Sequence, residues 1–384
     1  MTAALDRIPR ITAGAGAVAS LGALVAGRTG ASAAVLLVAD PGLVALGLVD
    51  AARHALARAG LAVHLFTDVR SDPLASQVDA GADLARRERL DAVVALGGGS
   101  ALDAGKAVAA VARGDAPTET YALCARPLPR APLLKVCVPT TAGTGSETTR
   151  TAIVTDAAGN KVWLWGDELK ADEVLLDPEL TVGLPPPLTA ATGIDALVHA
   201  IEATTNRNAS PLTDCFCHEA IRLVARWLPR AVEQPGDLVA REAVQRAACL
   251  AGIAIDNAGT AIAHNLGHAL GSLWPIHHGR AVGLAMLATL PWSAELDPHG
   301  RWAAVALALG EPAEAARVAP AFERLLRGVG IEVSLADEGF DAVTPEVLAR
   351  QMARRENAPM RRSNAREVGE DELLQFARRV LSQE

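Results

Sequence analysis

Four residues able to hold a metal ion stand out by type and spacing: Asp195 and His199, then His264, then His278. Asp195 and His199 lie four apart in the apolar-periodic stretch LTAATGIDALVHAIEA, so on a helix both side chains leave one face. A second helical pattern, TAIAHNLGHALG, carries His264 with His268 four residues on. WPIHHGRAVG then supplies His277 and His278 at a Pro-to-Gly turn before another apolar run. One carboxylate and three imidazoles suit Fe(II) or Zn(II), with positions left open for a substrate oxygen. The alternative is a set of unrelated, hydrogen-bonded helix histidines. The chain has only 9 His in all, and this set falls between 195 and 278, which favours the metal.

The elements that must position these residues fall into two halves. AAVLLVAD (33–40), LAVHLFTDV (61–69), DAVVALGGG (91–99) and PLLKVCVPT (132–140) read as strands, and helical patterns separate them. Strands alternating with helices argue for a doubly wound parallel sheet, Rossmann-like in plan. The Pro-rich LPPP (184–187) marks a boundary, since prolines can begin a helix but not lie inside one. From 188 to the C-terminus almost everything reads as helix. The expected organisation is an α/β dinucleotide-binding domain, 1–185, followed by an all-helical metal- and substrate-binding domain, 186–384. A cleft between two such domains is a usual place for a small-molecule site.

Two glycine-rich turns follow strands in the first half. Gly97, Gly98, Gly99 and Ser100 sit where a strand gives way to a helix that carries Asp103 and Lys106. Glycines there let the backbone approach a pyrophosphate, while helix amides and the positive end of the dipole face its charge. PTTAGTGSETT (139–149) offers Thr140, Thr141, Thr144, Ser146 and Thr149 as donors to a cofactor's phosphates or amide. The order departs from the usual dinucleotide fingerprint, in which the glycine turn follows the first strand and the acid comes later. Here Asp40 ends the first strand and the glycines come two strands afterwards. Asp40 is still placed to accept hydrogen bonds from ribose hydroxyls, which would repel a 2′-phosphate and favour NAD.

Composition bounds the rest. With 384 residues, 50% apolar but only 3% aromatic, the cores must be built from Ala, Val and Leu, which suits tightly packed helices. A net charge of −8 and scattered arginines give no case for nucleic acid or an anionic membrane. No stretch is apolar enough to span a bilayer, and the N-terminus lacks a long apolar run. Five cysteines, Cys124, Cys137, Cys215, Cys217 and Cys249, show no paired zinc spacing and read as reduced thiols of a cytoplasmic protein.

The motifs GGGSALDAGKA (97–107), PTTAGTGSETT (139–149), LPPPLTAATGIDALVHAIEA (184–203), AHNLGHALGSL (263–273) and HHG (277–279) together resemble the group III, iron-dependent (metal-containing) alcohol dehydrogenases, over nearly the whole chain. The resemblance implies the dehydroquinate synthase-like fold of that family, with Asp195, His199, His264 and His278 as ligands. It places His268 beside nicotinamide and substrate, Lys161 near the cofactor ribose, and Asp40 at the position that favours NAD. A homodimer is expected both from an exposed sheet edge near the N-terminus and from the family's habit. Departures from the family's pattern are HALGS (268–272), His277 where Pro is common, Ser71-Asp72-Pro73 in place of Asn-Pro, and NAR at 364–366. None touches a ligand, but they bear on the substrate, because His277, Trp274, Asn257 and Asp256 are candidates to line its pocket.

The chemistry implied is interconversion of a small alcohol and its aldehyde or ketone, with metal acting as a Lewis acid and hydride passing to C4 of NAD. His268, one turn from His264, is placed to pass the alcohol proton to solvent. Rival readings are a dehydroquinate synthase-like cyclase, which needs basic residues absent from the second half, and a maleylacetate-type reductase, which has no use for four ligands. A non-catalytic binding protein would have little reason to keep the ligands and both cofactor turns.

Overall fold

The computed structural model describes residues 3–335 and 343–382. The chain divides into two compact units. The sheet unit comprises Arg7–Thr141 and Gly145–Gly183; the helical unit comprises Leu184–Glu384 with Ala142–Thr144 and the segment ending at Asp6.

Runs such as AVLLVA and AVVALG carry no polar alternation, the pattern of strands covered on both faces. The strands are β1 (Arg10–Ala13), β2 (Ala34–Ala39), β3 (Ala62–Phe66), β4 (Ala92–Gly97), β5 (Leu134–Pro139), β6 (Thr151–Thr155), β7 (Lys161–Trp165) and β8 (Glu173–Leu176). Six of them form one parallel sheet in the order β1-β8-β5-β4-β2-β3, while β6 and β7 pair as a separate antiparallel hairpin. The helices of this unit are α1 (Leu21–Thr29), α2 (Pro41–Ala45), α3 (Leu48–Arg58), α4 (Ala75–Arg87) and α5 (Gly99–Val111). Alternate strand residues feed two cores. Val35, Leu37, Val94 and Leu96 pack with Leu21, Val25, Ala52 and Leu56 of α1 and α3. Leu36, Val38 and Val93 pack with Val78, Ala82, Ala104 and Val108 of α4 and α5. The sheet is therefore buried on both faces.

From β2 the chain steps outward to β3, then returns to β4 and continues through β5 and β8 in the opposite direction. The reversal falls between β2 and β4, and ligands of open parallel sheets bind outside the carboxyl ends of the strands at such a point.

The helical unit contains α6 (Pro186–Thr205), α7 (Pro211–Glu233), α8 (Leu238–Ala258), α9 (Ile262–Leu273) and α10 (His278–Ser293). It continues with α11 (Arg301–Ala308), α12 (Val318–Gly328), α13 (Pro345–Met352), α14 (Ala358–Ser363) and α15 (Glu370–Leu381). Pro186 and Pro187 occupy the first turn of α6, where their missing N–H groups cost nothing. Every residue of α6 from Thr189 to Thr205 is buried, in a core rich in alanine.

The α/β half followed by a helical half is as the sequence predicts, and the four strands read there are β2, β3, β4 and β5. Two sheet strands, β1 and β8, were not anticipated: each has only four residues, too few for a pattern to declare itself. The helical pattern between the first two predicted strands forms two helices, with α2 ending at Ala45 and α3 starting at Leu48. The helical reading of 336–342 lies outside the described residues. All five cysteines are free. Among the described residues, no helix is long and apolar enough to cross a membrane.

Candidate functional site

Asp195 is the hub of the helical unit. Its Oδ1 lies 3.8 Å from His199 Nε2, 3.6 Å from His264 Nε2 and 3.5 Å from His278 Nε2. Ligands about 2.1 Å from a tetrahedral ion stand about 3.4 Å from one another, so these spacings match the edges of a divalent site. Asp195 Oδ1 and His264 Nε2, 3.6 Å apart, are buried with no hydrogen-bond partner, an arrangement that costs free energy unless another group satisfies them. The donor set and its orphaned atoms fit a divalent ion.

Three helices bring these groups together. α6 supplies Asp195 and His199 one turn apart, α9 supplies His264, and His278 is the first residue of α10. The His199 and His264 rings stack with centroids 4.4 Å apart. His278 differs from the others in exposure: its side chain is 38% exposed, against 7% or less for Asp195, His199 and His264, so the open side of the site lies on His278. Burial opposes charge on Asp195, but the imidazoles of His199, His278 and His264 outweigh it and hold the carboxyl well below the ordinary range. Burial pushes His199 down to about 4. For His264 burial is overcome by Glu202 and Asp195, which raise it to about 9.

The other predicted residues fall in distinct places. The half-buried His268 ring meets His278 edge-on at 5.1 Å and lies 6.2 Å from His264. His277 caps α10, its Nδ1 accepting from Gly279 N at 3.2 Å. Trp274 ends α9 and packs against the helical core. Asn257 is engaged at both ends of its amide, accepting from Asp6 N at 2.8 Å and donating to Ile253 O at 2.8 Å.

In the sheet unit, Asp40, the Gly97–Gly99 turn and Thr140 stand at the carboxyl ends of the neighbouring strands β2, β4 and β5. Asp40 caps α2, its Oδ1 accepting from Gly42 N at 2.7 Å. Gly97 has φ +150°, and a Cβ there would meet Ala101 at 2.7 Å, so the turn admits only glycine. Gly98 is the N-cap of α5 and offers no side-chain cap, leaving helix amides available to an anion. Thr140 N donates to Gly97 O at 3.0 Å, which joins the two glycine-rich turns. Thr144 belongs to the helical unit.

Asp103, Ser146 and Thr149 form an internal brace. Asp103 accepts from Ser146 Oγ at 2.5 Å and Ile153 N at 2.9 Å. Lys106, wholly buried, donates to Ser146 O at 2.8 Å, Thr149 O at 3.3 Å and Thr151 O at 2.5 Å. Lys161 pairs with Asp72 at 2.7 Å, and Asp72 N donates to Ser100 Oγ at 3.2 Å.

Sequence reasoning missed Glu202. It lies on α6 seven residues after Asp195 and three after His199, a D-x3-H-x2-E spacing that puts all three on one face. Its carboxylate accepts from His264 Nδ1 at 2.6 Å and from the Ala261, Ala263 and His264 amides at 2.7, 2.6 and 3.3 Å.

A parallel-sheet unit with glycine turns at its strand ends and a helical unit with a buried carboxylate–histidine cluster define a metal-site dehydrogenase architecture. Residues 9–178 match the model of the iron-containing alcohol dehydrogenase family, and 189–381 match that of its C-terminal region, so the chain belongs to this family and is an alcohol dehydrogenase-type enzyme. It is 35% identical over 353 residues to the NAD-dependent methanol dehydrogenase of Bacillus methanolicus, covering 89% of this chain and 91% of that one. It is 35% identical over 358 residues to the 1,3-propanediol dehydrogenase of Klebsiella pneumoniae, covering 90% of each. The solved sulfoacetaldehyde reductase of Bifidobacterium kashiwanohense, in complex with NAD+, superposes with a TM-score of 0.91 at 28% identity, over 100% of both chains.

The cluster depends on one close helix approach. A Cβ at Gly279 would stand 2.0 Å from Ala191 O of α6. Gly279→Ala must therefore lift α10 from α6 and carry His278 away from Asp195. Elemental analysis after anaerobic purification is expected to find the variant below the roughly one equivalent of metal per chain of the wild type. Full occupancy with full activity would show that His278 is not held by this contact.

Proposed function

We propose that the chain interconverts a small alcohol and its aldehyde or ketone with NAD(H), using a divalent ion, Fe(II) or Zn(II), held by Asp195, His199, His264 and His278. The observation that carries this reading is the convergence of three imidazole Nε2 atoms, 3.5–3.8 Å away, on one buried carboxylate oxygen. When bound, the ion supplies Lewis-acid polarisation of the substrate oxygen and the nicotinamide supplies a hydride acceptor. The names of relatives that act on methanol and 1,3-propanediol support a small alcohol.

Gly97–Ser100 and Thr140, Thr141 and Thr144 are proposed to meet the cofactor's phosphates and amide. Asp103, Ser146 and Thr149 contribute by holding the loop through the Lys106 brace. Lys161, paired with Asp72, is proposed to reach the ribose. Asp40, anchored through Oδ1, is proposed to accept from ribose hydroxyls and to repel a 2′-phosphate. An NAD-dependent relative and an NAD+-bound structural neighbour support this preference. His277 and Trp274, flanking the turn that bears His278, are proposed to line the substrate side. Asn257 is left out because both ends of its amide are engaged. Free thiols support a cytoplasmic location.

The coenzyme assignment is tested by comparing kcat/KM for NADH and NADPH in metal-reconstituted enzyme. Wild type is expected to prefer NADH and Asp40→Gly to relax that preference; a wild-type preference for NADPH removes the role given to Asp40.

His268, half-buried and edge-on to His278, is proposed to pass the alcohol proton to solvent. His268→Ala should keep metal and NADH binding but lower kcat by roughly ten- to a thousandfold, most strongly for alcohol oxidation at low pH. Unchanged kcat across the pH range excludes the relay, and loss of metal would make His268 a ligand instead.

A homodimer is proposed through the edge of the sheet, because among the described residues β1 pairs on one side only, with β8. Light scattering at micromolar concentration should give twice the chain mass, and a monomer mass excludes it.

A further inference from the structure

We infer that Glu202 is a positioning residue of the metal centre: its buried carboxylate locks the tautomer and rotation of His264. This rests on the metal reading above, but it concerns a residue outside the ligand set.

Four N–H groups converge on the Glu202 carboxylate. Oε2 accepts from Ala261 N and His264 Nδ1, and Oε1 from Ala263 N and His264 N. Glu202 is 3% exposed, so water does not compete for these positions. Both carboxyl oxygens are thus occupied by donors. The ring nitrogen facing the carboxylate must carry hydrogen. In a neutral imidazole this leaves the lone pair on Nε2, the atom 3.6 Å from Asp195 Oδ1 that has no hydrogen-bond partner. A metal-ligating histidine is typically oriented in this way by a carboxylate on its other nitrogen.

The same carboxylate fixes the backbone that carries the ring. α9 begins at Ile262 after Ala261, which has no capping side chain, and Glu202 of α6 satisfies its first amides instead. One group therefore sets both where His264 starts and which way its ring turns.

Glu202→Gln separates this role from simple helix capping. A glutamine replaces one acceptor oxygen with an NH2 group, so whichever way it turns, donors face donors at one end. Dissociation constants for Zn(II) and Fe(II), measured by competition with a chromophoric chelator, should rise by about 10- to 100-fold in the variant. Long-range proton–nitrogen spectra of the zinc-loaded wild type should show His264 as the Nδ1–H tautomer. A variant that loses melting temperature but binds both metals as wild type does would reduce Glu202 to a helix cap and overturn the inference alone. A wild-type chain that bound neither metal would overturn it together with the proposed function. If the variant does not fold, the wild-type spectrum decides: Nδ1–H sustains the inference, and Nε2–H or coordination through Nδ1 overturns it.

Discussion

A single oxygen, Asp195 Oδ1, organises the helical unit. Burying a carboxylate costs several kcal/mol unless compensating groups surround it, and here three imidazoles do so from three different helices. Such an arrangement cannot hold itself together. Burial pushes His199 down to about 4, while the carboxylates of Glu202 and Asp195 raise His264 to about 9, so the imidazoles of one cluster stand in opposed environments. The apolar packing around α6 has to hold the helices in place against that cost, which is why a helix bearing Asp195, His199 and Glu202 is nevertheless buried along nearly its whole length.

The sheet unit solves a different problem, the presentation of main-chain donors. A parallel sheet covered on both faces leaves its strand ends as the accessible rim, and the reversal of strand order between β2 and β4 opens that rim where Asp40 and Gly97 stand. Side chains add little to the turn itself. Their contribution is rigidity: Asp103 and Lys106, on one face of α5, hold the 146–153 segment through both carbonyls and hydroxyls. A wholly buried lysine is tolerated because carbonyl oxygens and Asp103 surround its ammonium group.

Much of this was legible in the sequence because it is local. Helical spacing reveals that Asp195 and His199 share a face, and apolar runs reveal β2, β4 and β5. That His264 and His278 meet the same oxygen is not local. It was inferred from donor chemistry and family resemblance, and the structure places both beside Asp195. The unread parts have physical reasons. β1 and β8 are four residues each and gain their identity only by pairing with one another and with β5. Asp103, Ser146 and Thr149 look like ligand donors in sequence, yet their hydrogen-bonding capacity is turned inward. Glu202 carried a visible signal, its place on the Asp195 face, but acidic residues on helices are so common that only its four donors distinguish it.

The unusual composition is tied to the site. His264 and His278 approach an oxygen of another helix to 3.6 and 3.5 Å only if the helices themselves lie close, and helix separation is set by the residues at the contact. Large aromatics along α6 would hold its neighbours off; instead it presents Ala190, Ala191, Ala196, Ala200 and Ala203, all buried. At the tightest point even a methyl group is too large, since a Cβ on Gly279 would stand 2.0 Å from Ala191 O. The 3% aromatic content, read in the sequence as a matter of core volume, is therefore also a condition of the chemistry. In α6, α9 and α10, small residues bring backbones close enough that Asp195, His199 and His264 share a volume fit for a single ion, with His278 Nε2 3.5 Å from Asp195 Oδ1.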